Sequence, residues 1–232
     1  MENIQLTPSS LAFLRELGKH NNRDWFNARK ERFLEEQEQF IRFAEALLHE
    51  MNRHDRLETP SGKKSVLRIY RDTRFSKNKS PYHTRWALFF KRATKLRRGS
   101  YYLHLEPGNS FVEGGFWGPE AHDLKRLREE FSMDPAPLRK ILKSKTFREM
   151  FGTLQGEQLK TAPKGFSTDD PAIDLIRYRQ FLVVRKFSDK EVLAKNFLEE
   201  VNDTFRKMRP FLDYMSDVLT TDTNGISIVE EE

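Results

Sequence analysis

The chain has no cysteine. Disulfides, thiolate nucleophiles and zinc–cysteine sites are therefore excluded together. Long apolar runs are missing too: none approaches the ~18 residues that a membrane-spanning helix needs, and the mean hydropathy is −0.75. The start, Met1-Glu-Asn-Ile, lacks a basic stretch followed by an apolar one, which predicts no secretory signal. These absences lead to the expectation of a cytoplasmic protein without membrane contact. No Gly-x-Ser-x-Gly elbow, kinase signature, Walker loop or dinucleotide fingerprint is present. The six histidines show no ligand spacing on one helix face, so no metal is expected, and no cofactor either.

What the chain does have is phenylalanine and localised charge. Nineteen of its 232 residues are Phe, so much of the core must be aromatic. The net charge of +6 is uneven. From Lys63 to Arg98 there are 13 Lys or Arg and one acid, Asp72, a local charge of +12, so the remainder sums to −6. Localised positive charge implies an anionic partner: phosphate, nucleotide, nucleic acid or a membrane surface. A solvated basic face is the plain alternative.

The chain reads as helices, then strands, then helices. Thr7-Pro8 opens a short helix to about Leu17. Asn21-Asn22 caps a long helix from Arg23 to about Met51, with Phe26, Phe33, Phe40, Ala44, Leu47 and Met51 inward and Glu35–Glu38 solvated. The period then shortens to that of strands at Val66–Tyr70, Trp86–Lys91, Tyr101–Glu106 and Ser110–Trp117, with a fifth at Phe181–Phe187. Glu106-Pro-Gly-Asn109 predicts a hairpin turn. Further short helices follow Pro119, Pro135, Ser144 and Pro171. Ser188-x-x-Glu191 is a capping box that opens a C-terminal helix, about 189–219, kinked or interrupted by Pro210. Residues 224–232 are expected to fray. The expected fold is a single α+β domain over 1–232: a mainly antiparallel sheet of about five strands with long N- and C-terminal helices packed on it.

The stretch Arg68-Ile-Tyr-Arg-Asp-Thr-Arg-Phe-Ser-Lys-Asn-Lys-Ser-Pro-Tyr82 is where function is expected. It is too long for a tight turn and too aromatic for a disordered loop. Arginine's planar fork suits phosphate and carboxylate. Arg68, Arg71, Arg74 and Lys79, with Arg23 as an outlying member, are the candidate anion ligands. Asp72 and Tyr82 support them. The competing reading is a structural network in which the same arginines tie down the loop. Gly114 and Gly115 precede the helix expected at Gly118-Pro119. They can offer backbone N–H groups to an anion, or form a bulge and tight turn. Alternation along Tyr101–Glu106 puts Tyr102, His104 and Glu106 on one face, making His104 and Glu106 candidate acid/base residues. Arg98-Gly99-Ser-Tyr-Tyr begins like an RNA-recognition strand, but Ser100 and Leu105 stand where stacking aromatics belong. Nucleic-acid or protein contact through 63–98 is the alternative to a small anionic ligand.

Several strings resemble the domain-of-unknown-function 2461 family. They are Phe13-Leu-x-x-Leu17, Asn21-Asn-Arg-Asp-Trp-Phe26 with Lys30, the Arg68–Tyr82 motif, Tyr101-Tyr-Leu-His-Leu-Glu-Pro-Gly108, Gly114-Gly115 with Pro119, and Leu159-Lys-x-x-Pro-Lys-Gly-Phe166. The resemblance covers about residues 11–186, and Lys164 departs from it where arginine is expected. It implies a bacterial-type domain and no particular reaction.

Overall fold

The computed structural model describes residues 4–93, 95–222 and 224–229. Met1–Asn3, part of the stretch read for a signal, and residues 230–232, part of the expected frayed end, lie outside the described residues. Four strands, β1 (Trp86–Lys91), β2 (Ser100–Leu105), β3 (Ser110–Phe116) and β4 (Phe181–Phe187), form one antiparallel sheet in sequential order. The fold is α+β, as expected. The Tyr101–Trp117 hairpin turns where Pro107-Gly108 predicts, with Gly108 at φ 76°, a left-handed conformation that glycine adopts freely.

The chain divides into two compact units, one of Met1–Phe90, Tyr102–Val112 and Lys186–Asp203, the other of Lys91–Tyr101, Glu113–Arg185 and Thr204–Glu232.

The first unit contains α1 (Pro8–Lys19), α2 (Arg23–Asn27), α3 (Lys30–Met51) and α4 (Gly62–Ser65). Proline at the first position of α1 sets its entry. The Asn22 side chain caps α2 by accepting from the Trp25 amide. The expected single helix 23–51 is two helices, because the chain turns at Ala28-Arg29. The aromatic seam of α3 is nonetheless where periodicity puts it. Phe33 and Phe40 stand 5.5 and 5.6 Å from the ring of Trp86 on β1, and Phe13 and Phe26 close on Phe33 from α1 and α2. One part of the charge reading is corrected: Glu35 and Glu38 are exposed, but Glu36 is buried and accepts a hydrogen bond from Ser9 of α1. Gly62 begins α4 so close to α3 that a Cβ would lie 2.3 Å from the Glu45 amide nitrogen.

The second unit contains α5 (Ala121–Met133), α6 (Ala136–Lys143), α7 (Lys145–Phe151) and α8 (Ile173–Ile176). Ser144 caps α7, and Gly152 at φ 69° ends it. The capping box at Ser188 forms, but it heads only the four-residue α9 (Asp189–Val192). The main C-terminal helix, α10 (Phe197–Thr220), starts after a break. Pro210 lies inside α10 on its exposed side and does not end it. Water can replace the lost backbone bond there. Within this unit Phe205 of α10 packs on Tyr101 of β2 at 5.0 Å. Among the described residues beyond α10, Asp222 accepts from the amides of Asn224 and Ile226.

Candidate functional site

The expected strand Val66–Tyr70 is replaced by an irregular pairing, and the irregularity builds the site. Val66 bridges Leu88, and the Leu67 amide donates to the Ala87 carbonyl. Two residues later the register has changed: the His83 amide donates to Ile69 O, and Tyr70 bridges Tyr82. Between these pairs one residue, Arg68, stands opposite three, Thr84, Arg85 and Trp86. Extra residues of this kind break a ladder and re-aim the side chains they carry. That is why four strands form instead of five.

Beyond the bulge, the far end of the loop is anchored. Tyr82 is buried and stacks on Phe26 at 4.0 Å. The Asn21 side chain holds both its backbone groups, donating to Tyr82 O at 2.9 Å and accepting from its amide at 3.1 Å. Burial raises the Tyr82 phenol above its ordinary value, and Arg23 and Lys30 pull it partly back. Arg23 is thus an exposed charge at the start of α2, near Tyr82.

The loop's cations divide into two groups. Arg74 forks onto Asp72, with Nη2 2.7 Å from Oδ2 and Nε 3.1 Å from Oδ1, and holds the Asp72 carboxyl below the usual range. Lys79 Nζ donates to Thr73 O at 3.0 Å. Both are engaged within the loop. Arg68 and Arg85, in contrast, make no hydrogen-bonded ion pair among the described residues. The Arg71 side chain donates to Ser80 O and the Ser76 hydroxyl, at 3.2 and 3.4 Å. All three act electrostatically on His83. Burial first, then Arg85, Arg71 and Arg68 in that order, and lastly His104, bring its imidazole down to about 4.

His104 stands on β2. Its Nδ1 lies 3.1 Å from the Tyr102 hydroxyl and its Nε2 3.3 Å from Glu106 Oε2, and its ring stacks on Phe111 at 4.6 Å. Burial, helped by Arg85, holds its pKa below the ordinary value against the pull of Glu106. A neutral ring bonded this way donates from Nε2 and accepts from Tyr102. Burial pushes Glu106 up, but hydrogen bonds from Thr84, Asn109 and His104 outweigh it and leave the carboxylate below its usual value. Thr84 Oγ1 donates to Glu106 at 2.7 Å, so the bulge and the Tyr102–His104–Glu106 row belong to one site. Chemically the row can pass a proton between a phenol, an imidazole and a carboxylate.

The chain matches the model of one family, described as a conserved hypothetical protein (DUF2461), over residues 9–214. It belongs to the DUF2461 family. No curated protein and no solved structure matches it. The DUF2461 match contains the whole site, from Asn21 through Glu106.

Two of the candidates lie elsewhere. Gly114 and Gly115 belong to the second unit, buried in β3. Packing accounts for them: a Cβ on Gly115 would stand 2.1 Å from Phe181 O at φ 145°, and one on Gly114 2.5 Å from the Met208 sulfur. Sequence reading passed over His83, Thr84 and Arg85. The only signal was the polar triplet His83-Thr-Arg85 set between two apolar runs.

No group of three or more His, Asp or Glu among the described residues can hold a metal ion, and no described helix is long and apolar enough to cross a membrane.

Proposed function

We propose that this DUF2461 chain binds a phosphate-bearing or other anionic small ligand on the face formed by Arg68, Arg71 and Arg85 around His83. One observation carries the reading. Three guanidinium groups at a register break act together on His83, none of them in a salt bridge among the described residues and only Arg68 feeling a carboxylate, that of Asp72, and they depress the protonation of that histidine. Like charges held together unneutralised favour an incoming anion. A neutral His83 can still donate one hydrogen bond to it.

The set of ligands narrows accordingly: Arg68, Arg71 and Arg85 make the contact, while Arg74 and Lys79 shape the loop that presents Arg71. Thermal shift in phosphate, pyrophosphate, sulfate and nucleotides tests this. Ligand at 100 times its Kd should stabilise the wild type by about 2.7 kcal/mol. The double variant Arg68→Ala/Arg85→Ala should lose that gain, and Arg74→Ala should keep it. Equal gains in the wild type and the double variant, or none for any anion, would refute the assignment.

A further inference from the structure

Phe75 is 96% exposed, at the tip of the loop that Arg74 and Lys79 tie together. A phenylalanine standing almost wholly in water is unusual in a loop this well bonded. One neighbour covers it loosely: the Arg74 guanidinium lies 5.8 Å from the ring centroid. Arg71, a member of the anion site, reaches the hydroxyl of Ser76, the next residue along. An exposed aromatic face and a guanidinium of the anion site are therefore presented on one loop. Lys77 adds an exposed cation two residues past the ring, and Tyr70 is a second partly exposed aromatic, 45% accessible, at the loop's base.

We propose that the anion this site takes is the backbone of a single-stranded nucleic acid, with an unpaired base stacked on Phe75 and phosphates on Arg71, Arg68 and Arg85. The inference rests on the anion site proposed above and adds the class of ligand. Aromatic faces flanked by cations hold single strands through base stacking and backbone charge, with little regard to sequence. A duplex offers no free base face, so it gains only the charge term. A lone nucleotide would stack on one open face with no wall behind it, whereas a strand adds further phosphates along the basic segment. An anionic membrane fits less well. Ser76, Lys77 and Asn78 at the tip are polar, and one ring without apolar neighbours inserts little surface.

Fluorescence anisotropy with a labelled 12-nucleotide oligo-dT, the same length of duplex, and phosphatidylserine vesicles decides the matter on the full chain. The wild type should prefer the single strand, with affinity falling as salt rises by roughly 0.7 log units per log unit for each phosphate held. Phe75→Ala should weaken oligo-dT binding about 5- to 150-fold, with an unchanged melting temperature because the ring is exposed. Phe75→Tyr should restore it. Lys77→Ala should flatten the salt slope. Unchanged affinity in Phe75→Ala, equal duplex binding, or vesicle binding without oligonucleotide binding would overturn the inference. If orthophosphate still stabilises the wild type while oligo-dT does not bind, only this inference falls. If neither binds, the anion site falls with it.

Discussion

Replacing His83 with Gln should remove a defined part of the protein's acid sensitivity. In the native state burial, Arg85, Arg71, Arg68 and His104 hold the imidazole at about 4, against an ordinary value of 6.5. The unfolded chain therefore binds a proton between these limits that the folded chain refuses. Stability from this group is complete above pH 6.5 and is lost as pH falls towards 4. At 1.36 kcal/mol per pH unit the full effect of a sealed ring is about 3.4 kcal/mol. The ring is partly exposed, and solvent screening reduces that by roughly half, to about 1.7 kcal/mol. About 1 kcal/mol of it falls between pH 7.5 and 5. Urea melts at those two pH values should show the wild type losing that much more than His83→Gln. The difference between the two proteins cancels the opposing terms from Glu113 and Asp217, whose carboxyls burial raises. Proton NMR of the ring gives the direct measurement: a midpoint near 4 in the free protein, rising when saturating sulfate offsets the arginines. A free-protein midpoint near 6.5, unmoved by sulfate, would refute both the electrostatic reasoning and the site built on it.

Two further tests concern the frame that holds the site. Phe40→Ala empties a fully buried place between Phe43 and Trp86, and urea denaturation should report a loss of ~3–5 kcal/mol. Gly115→Ala sets a Cβ against Phe181 O at a φ that only glycine tolerates, so thermal and urea melts should show roughly 2–4 kcal/mol of destabilisation; a neutral result would mean that β3 lies in another register.

Features written in neighbouring residues were legible before any coordinates. Glu106-Pro-Gly-Asn109 turns, Ser144 caps, and Ser188 pairs with Glu191, because each signal and its partner lie within four positions. The aromatic seam of α3 was legible for the same reason: Phe33 and Phe40 repeat along one helix. What escaped depended on distant partners. Glu36 reads as solvated until Ser9, 27 residues away, is brought against it. The register change at Arg68 is a property of two segments taken together, and no periodicity within either reveals it. The division of the loop's cations is of the same kind. Arg74 and Arg68 look alike in the sequence, and only geometry shows one engaged by Asp72 and the other without such a partner. His83 was overlooked because its character comes from arginines on both sides of the bulge.

The assembly of the first unit from three separate segments has a consequence for how the protein is made. That unit needs Lys186–Asp203, and Asp203 follows Phe90 by 113 residues. At a ribosomal pace of ~5–20 residues per second the delay is roughly 6 to 23 s. Through that interval α1 and α3 have emerged, but Phe43 still awaits Phe197 and Arg15 awaits Asp189. The nascent chain thus carries an unfinished aromatic surface for many seconds. A ribosome stalled anywhere before residue 203 releases a fragment in which neither unit is whole.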